Sequence, residues 1–164
     1  MSNFWVELDK NRPWRYVFGT KLWNVKANRY SNEVKVLLDT GSFNTIISEN
    51  LAKKYAAKTN ITLKTKVGGF SGDSPLYIIQ KMRIGGVILE KVAAFAVPFD
   101  GELKDHILLG ANVMNNWNFN VSRLNNRLSA VEEFSAAAVA RQYPYRYAFD
   151  NKGQVIALQE IGEN

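Results

Sequence analysis

The feature that most constrains this chain is the tetrapeptide Asp39-Thr40-Gly41-Ser42, because of what stands on both sides of it. An apolar run from Val34 to Leu38, broken only by Lys35, comes directly before it, and the sequence FNTII follows. The apolar run predicts a buried strand, and the glycine predicts a tight turn at the end of that strand. A carboxylate on such a turn can be held rigidly, with its oxygens open to a cleft.

The composition excludes several classes of protein and of site. The chain has 164 residues, 46% of them hydrophobic, which suits one domain with a real core rather than a disordered segment. It contains no cysteine, so disulfides, thiol nucleophiles and Cys-ligated metals are excluded. The single histidine, His106, excludes His-rich metal sites and argues against a Ser-His-Asp triad, although the neighbouring Asp105 could pair with it.

The charge and hydropathy patterns bear on partners and location. The longest apolar stretch, residues 92–97, is far shorter than a membrane span, and the first residues lack the apolar segment of a signal peptide. A soluble, cytoplasmic protein without a membrane partner is therefore expected. The net charge of +6 is spread over scattered lysines with no block of like charges. A solvated basic surface is expected rather than a nucleic-acid site.

The hydrophobic periodicity predicts a chain made mostly of strands. The predicted strands are 16–27, 33–38, 61–67, 76–84, 87–98, 107–109, 118–121, 127–131, 145–149 and 154–159. Two short helices are predicted, at 49–57 after the N-cap Ser48 and at 111–117. Residues 68–75 hold three glycines and a proline, which predicts a mobile hairpin tip between two strands.

The character of the sequence changes near Glu133. Residues 135–141 are alanine-rich and could be helical, and Asp150-Asn151-Lys152-Gly153 predicts a hairpin turn. We therefore expect one domain over residues 1–134, with its core at about 16–133, and an extension over 135–164. This extension is expected to pack on the core or on a dimer interface.

Three landmarks in this order resemble the retropepsin-like aspartic proteases, the single-domain class related to retroviral proteases. They are LLDTGS at residues 37–42, a glycine-rich flap at 68–74, and ILLGAN at 107–112. The resemblance covers roughly residues 16–133. It implies an all-β fold: a closed β-barrel with a flap hairpin and one or two short helices.

The same resemblance implies an aspartic endopeptidase. Such enzymes need two carboxylates facing one water, and this chain has one matching loop, because Phe99-Asp100-Gly101 lacks the hydroxyl residue. The site is therefore expected to form across a homodimer, with Asp39 of each subunit as the catalytic residue. The substrate would be an extended peptide or protein, and neither metal nor cofactor is required. Either the C-terminal hairpin or the N-terminal fifteen residues could supply the dimer sheet, and the hairpin could instead cover the cleft.

The resemblance also implies roles around Asp39. Thr40 would bond across the dimer to the partner loop, and Ser42 would bond the outer oxygen of its own Asp39. Gly41 would permit the turn and let substrate backbone approach closely. The flap residues that would close over the substrate are Gly68, Gly69, Phe70, Ser71 and Gly72. The strand residues Leu109 and Gly110 would pack beside the catalytic loop. Candidate pocket walls, which the pattern also allows as core residues, are Ile47, Ile78 and Ile107.

Alternatives remain open at this level. The DTGS sequence could form a simple Asx-type turn in which Asp39 caps main-chain N–H groups. The same fold could serve as an inactive dimerisation or peptide-binding module, because fold alone does not establish activity. A basic nucleic-acid-binding barrel is a third hypothesis, and it predicts a steep salt dependence of affinity.

Overall fold

The structure is a computed structural model that describes residues 3–67, 69–132, 141–142, 145–152 and 155–160. Most of the described chain is β-strand, which confirms the predicted all-β class. In this part of the chain no helix has both the length and the apolar character needed to cross a membrane.

The largest sheet has eight strands, in the order β3-β2-β4-β9-β5-β8-β7-β6. Its strands are β2 (Val17–Asn24), β3 (Arg29–Tyr30), β4 (Val34–Leu38), β5 (Thr45–Ser48), β6 (Ala56–Val67), β7 (Phe70–Ile84), β8 (Val87–Val97) and β9 (His106–Leu109). A further pairing of β2 with β7 joins the sheet to itself. The six strands from β2 to β7 in the sheet order therefore form the predicted closed barrel, and β3 and β6 extend from it.

Two three-stranded sheets accompany the barrel. The first has the order β1-β11-β10, and the second has the order β12-β13-β14. Their strands are β1 (Asn3–Glu7), β10 (Trp117–Ser122), β11 (Arg127–Glu132), β12 (Arg141–Gln142), β13 (Tyr145–Phe149) and β14 (Val155–Glu160). The pairing of β1 with β11 brings the first described residues onto the last strand before the C-terminal extension.

The described residues also form two short helices and one 3-10 turn. Helix α1 spans Glu49–Tyr55, and its N-cap Ser48 accepts a hydrogen bond from the Leu51 N–H, as its sequence predicts. The helix ends two residues before the predicted boundary, since Ala56 already has an extended backbone and begins β6. Helix α2 covers only Ala111–Met114, because Trp117 begins β10 instead of ending the helix.

Two predictions for connecting segments are wrong. The loop predicted over 68–75 is too long, because β7 already begins at Phe70 and its residues pair with β6 as far as Val67 opposite Phe70. The long strand predicted at 16–27 ends at Asn24, and Arg29–Tyr30 pairs back onto it. Of the alanine-rich segment, residues 135–140 lie outside the described residues, as does Gly153 of the predicted turn, whereas Arg141 lies in β12.

The buried side chains form two clusters on opposite faces of the barrel sheet. Alternate residues of β8 divide between them: Val92, Ala94 and Ala96 join the main core, and Ala93, Phe95 and Val97 join the second cluster. This explains the apolar run at 92–97, since a strand that is covered on both faces has no polar side. The main core also holds side chains from α1, α2 and the β1-β11-β10 sheet.

Candidate active site

The loop that carries Asp39 is anchored to the strand ends around it. Asp39 follows directly on β4, and its N–H donates to the Leu109 carbonyl of β9 at 3.0 Å. The Gly41 N–H donates to Oδ1 of Asp39 at 3.2 Å, and the Ser42 N–H donates to the Asp39 carbonyl at 3.3 Å. The carboxylate is half-buried. These bonds fix both the turn and the orientation of the side chain.

The end of the loop, at Ser42 and Phe43, is hydrogen-bonded to the start of α2. The Ala111 N–H donates to the Ser42 carbonyl at 2.8 Å, and the Asn112 N–H donates to the Phe43 carbonyl at 3.0 Å. Because β9 runs parallel to β4 and leads into α2, the chain after β9 passes directly under the loop. Ser42 and Phe43 are therefore hydrogen-bonded to a second segment of main chain.

A buried polar network lies beneath this crossing. The Thr45 hydroxyl donates to Oδ1 of Asn112 at 2.7 Å and accepts from the Gly110 N–H at 3.1 Å. Nδ2 of Asn112 donates to the Ala93 carbonyl of β8 at 3.0 Å. Thr45 is 0% exposed and Asn112 is 1% exposed. A satisfied buried network of this kind is rigid, and it joins β5, β8 and the start of α2 at one point.

Gly110 is the position where this packing requires a glycine. Its backbone is extended, but a Cβ built there would overlap the carbonyl of Asn44. Gly41 differs, since a Cβ there would stand 3.6 Å from Oδ1 of Asp39, an ordinary contact, and its φ is not positive. The turn itself therefore does not require glycine at position 41, contrary to the expectation from sequence.

A cleft of about 370 Å³ opens beside Asp39. One wall consists of the loop at 39–44, and the facing wall consists of residues 63–67 of β6. The side chains of Ile46 and Phe95 close it from the barrel side. A carboxylate thus lies on one wall of a groove that is bounded on the other by the end of the β6–β7 hairpin.

The structure places the predicted loop and hairpin residues as follows. Thr40 is exposed, and the Ser42 hydroxyl donates to the Asn44 carbonyl at 2.7 Å, so its proton is not directed at Asp39 as expected. Gly68 lies outside the described residues. Gly69 occupies the hairpin turn with a φ of 83°, a conformation that favours glycine. The other three predicted flap residues, Phe70, Ser71 and Gly72, are the first residues of β7.

The predicted pocket walls lie elsewhere than in the cleft. Ile47 and Ile107 are 0% exposed and belong to the main core, and Ile78 belongs to the second cluster. The two residues that close the cleft from the barrel side, Ile46 and Phe95, were not selected from the sequence. Alternation shows that Ile46 and Ile47 face opposite sides of a strand, but it does not show which side carries the cleft.

Comparisons with known proteins bear on the family and on the fold of this chain. Residues 23–116 match the family model described as "gag-polyprotein putative aspartyl protease". The fold matches the crystal structure of a retropepsin-like aspartic protease from Rickettsia conorii, with a TM-score of 0.51 and 14% sequence identity. That match covers 79% of this chain and 90% of the other. A comparison with curated proteins gives no match.

Proposed function

Because the chain belongs to the gag-polyprotein aspartyl protease family, we propose that it is an aspartic endopeptidase with Asp39 as its catalytic residue. The observation that carries this proposal is the position of Asp39. Its carboxylate is anchored by main-chain hydrogen bonds on the wall of a cleft, between the barrel and the β6–β7 hairpin. A catalytic group needs this kind of rigid placement, because it must meet the reacting atoms in a fixed geometry.

The active unit is a homodimer, since one subunit supplies only half of the acid–base pair. Hydrolysis of a peptide by this route uses two carboxylates that face one water, and the sequence contains one Asp-Thr-Gly loop. A two-fold axis beside that loop would bring the Asp39 side chains of both subunits together. Thr40 is exposed at the tip of the loop, where it can bond to the partner loop across this axis.

The chemistry follows from the proximity of two like charges. Two adjacent carboxylates cannot both ionise cheaply, so the pair shares one proton, and aspartic proteases are the standard case of this effect. The ionised member takes a proton from the water as its oxygen attacks the scissile carbonyl. The protonated member donates to the developing oxyanion.

The β6–β7 hairpin acts as a flap over an extended substrate. Its β6 segment already forms the wall of the cleft opposite the loop, and its turn at Gly69 lies beyond that wall. An extended peptide in such a groove forms main-chain hydrogen bonds, while pockets bind alternate side chains. Closure of the hairpin would exclude water from the reacting carbonyl. Ser42 supports the loop through Asn44 rather than through Asp39 itself.

Cleavage of a diverse peptide library, from about pH 4 to about pH 7, tests the proposal. We expect defined cuts with the wild-type chain and none with Asp39→Asn. Asp100→Asn is the matched control, because Asp100 also precedes a glycine but is exposed and does not line the cleft. Cuts that persist in Asp39→Asn, or no cuts from a confirmed dimer, would overturn the proposal, and the second result would favour the peptide-binding module.

A further inference from the structure

The second hydrophobic cluster joins the cleft to the C-terminal extension. Among its buried members are the cleft walls Ile46 and Phe95, together with Tyr147 of β13 and Val155 of β14. Tyr147 is 4% exposed and Val155 is 5% exposed. The hairpin formed by β13 and β14 therefore buries its apolar side chains in the same cluster as the walls of the cleft.

Contacts with neighbouring strands support this placement. Strand β14 lies against β6, whose residues 63–67 form the opposite wall of the cleft. Leu63 and Val67 of β6 pack against the second cluster, as do Phe149 and Leu158 of the extension. Nζ of Lys91 lies 6.0 Å from the ring centroid of Phe149, which places β13 close to β8 as well.

We propose that the β13–β14 hairpin is a tethered occupant of the substrate side-chain sites, which a peptide substrate must displace. This inference rests on the proposed function, because it concerns regulation at the same cleft. A peptide and the hairpin would compete for the apolar surface formed by Ile46, Phe95 and their neighbours. Since the hairpin is part of the chain, its effective concentration at the cleft is high, and the apparent affinity for substrate falls accordingly.

The hairpin also indicates the chemistry of the substrate. Tyr147 and Phe149 are two residues apart in β13 and therefore face the same side, where both pack into or against the cluster. Val155 provides a buried branched aliphatic side chain from the adjacent strand. Substrates that compete well should carry aromatic or branched aliphatic side chains at alternate positions of an extended segment.

A ligand can displace the β13–β14 hairpin from the apolar surface that it covers. The hairpin exposes Arg146, Ala148 and Ile156, and Ile156 is 63% exposed, so only one of its faces is buried. The hairpin gains only the two-residue strand β12 as a further partner in its sheet, so it has little stability of its own and depends on the surface that it covers. Loss of a few apolar contacts should therefore shift the population from covered to open by an order of magnitude.

Adjacent residues in β14 offer a matched pair of variants for the test. Val155→Ala removes two buried methyl groups from the cluster, whereas Ile156→Ala removes apolar atoms from an exposed side chain. In the Asp39→Asn background, which prevents cleavage, the probe is a fluorescein-labelled peptide with the sequence of residues 145–160. Binding is measured by fluorescence anisotropy. Thermal unfolding, followed by circular dichroism, checks that each variant is folded. If Val155→Ala does not fold, Tyr147→Leu takes its place in the test.

We expect the Val155→Ala protein to bind this peptide roughly tenfold more tightly than the parent, with Ile156→Ala unchanged. In the proteins that retain Asp39, Val155→Ala should raise the rate of peptide hydrolysis by a similar factor. Equal binding by all three folded proteins would overturn the inference, whether or not they cleave peptides. Tighter binding by Val155→Ala without hydrolysis in any protein would support the occupancy and overturn the proposed endopeptidase, so the two failures are distinguishable.

Discussion

The two walls of the cleft differ in how they are held. The loop that carries Asp39 is bound by main-chain hydrogen bonds to β9 and to α2, and it rests on the buried network of Thr45 and Asn112. The opposite wall belongs to β6, which is the edge strand of the sheet and contains no fully buried residue. At the turn of the β6–β7 hairpin, the space around Gly69 is open. The Asp39 wall is thus fixed by main-chain hydrogen bonds and buried packing, whereas the β6 wall is only partly buried. This contrast suits the proposed site, in which a carboxylate is held still while a peptide is admitted.

The largest expected effect comes from the fixed wall. Gly110→Ala places a methyl group against the Asn44 carbonyl, and main chain cannot yield as a flexible side chain does. We expect a loss of about 3 kcal/mol in the free energy of unfolding, measured by urea denaturation. Gly86→Ala is the control, because a Cβ there meets nothing within 4 Å and its φ is not positive. Equal small losses in both variants would show that the loop is not tightly packed.

Thr45→Val should have the next largest effect. The substitution keeps the shape of the side chain but removes the hydroxyl, which leaves the buried Gly110 N–H and Oδ1 of Asn112 each without this partner. We expect the free energy of unfolding to fall by about 2 kcal/mol. Thr62→Val on the exposed face of β6 serves as the matched control. A stability of Thr45→Val equal to that of the control would contradict the role assigned to the network.

Gly69→Ala probes the opposite wall and should be milder. The residue has a φ of 83°, which strains any residue with a side chain, but the space around it is open. We expect a loss of about 1 kcal/mol, and a smaller loss for Gly69→Asn, because asparagine tolerates positive φ better than alanine. Circular dichroism melting curves of the two variants measure this difference. Equal stabilities of Gly69→Ala and Gly69→Asn would contradict the assigned role of the positive φ. A loss of stability in either variant as large as that of Gly110→Ala would contradict the difference between the two walls.

Local signals in the sequence predict much of the fold and the position of the loop that carries Asp39. The buried strand before Asp39, the helix cap at Ser48 and the strand at 87–98 each follow from neighbouring residues, and the structure confirms all three elements. The Asp-Thr-Gly-Ser loop also lies where its sequence suggests, at the end of a buried strand and beside a cleft.

Pairing between distant residues accounts for what the sequence missed. Gly72 and Pro75 indicate a loop by themselves, yet β6 pairs with both, and Pro75 sits next to a register shift where a missing N–H is tolerated. Thr45 and Asn112 are 67 residues apart, so no local pattern links them. The same applies to β1, whose partner β11 lies at the other end of the domain.

Subunit mixing tests the central claim most directly, because it asks whether two copies of Asp39 share one site. Wild-type protein is allowed to exchange subunits with an equal amount of Asp39→Asn protein, and peptide cleavage is compared with that of the same total concentration of wild type. A shared site predicts that activity falls to about a quarter, since only dimers with both carboxylates cleave. Activity that falls only to about a half would show that each subunit acts alone, and it would contradict the account.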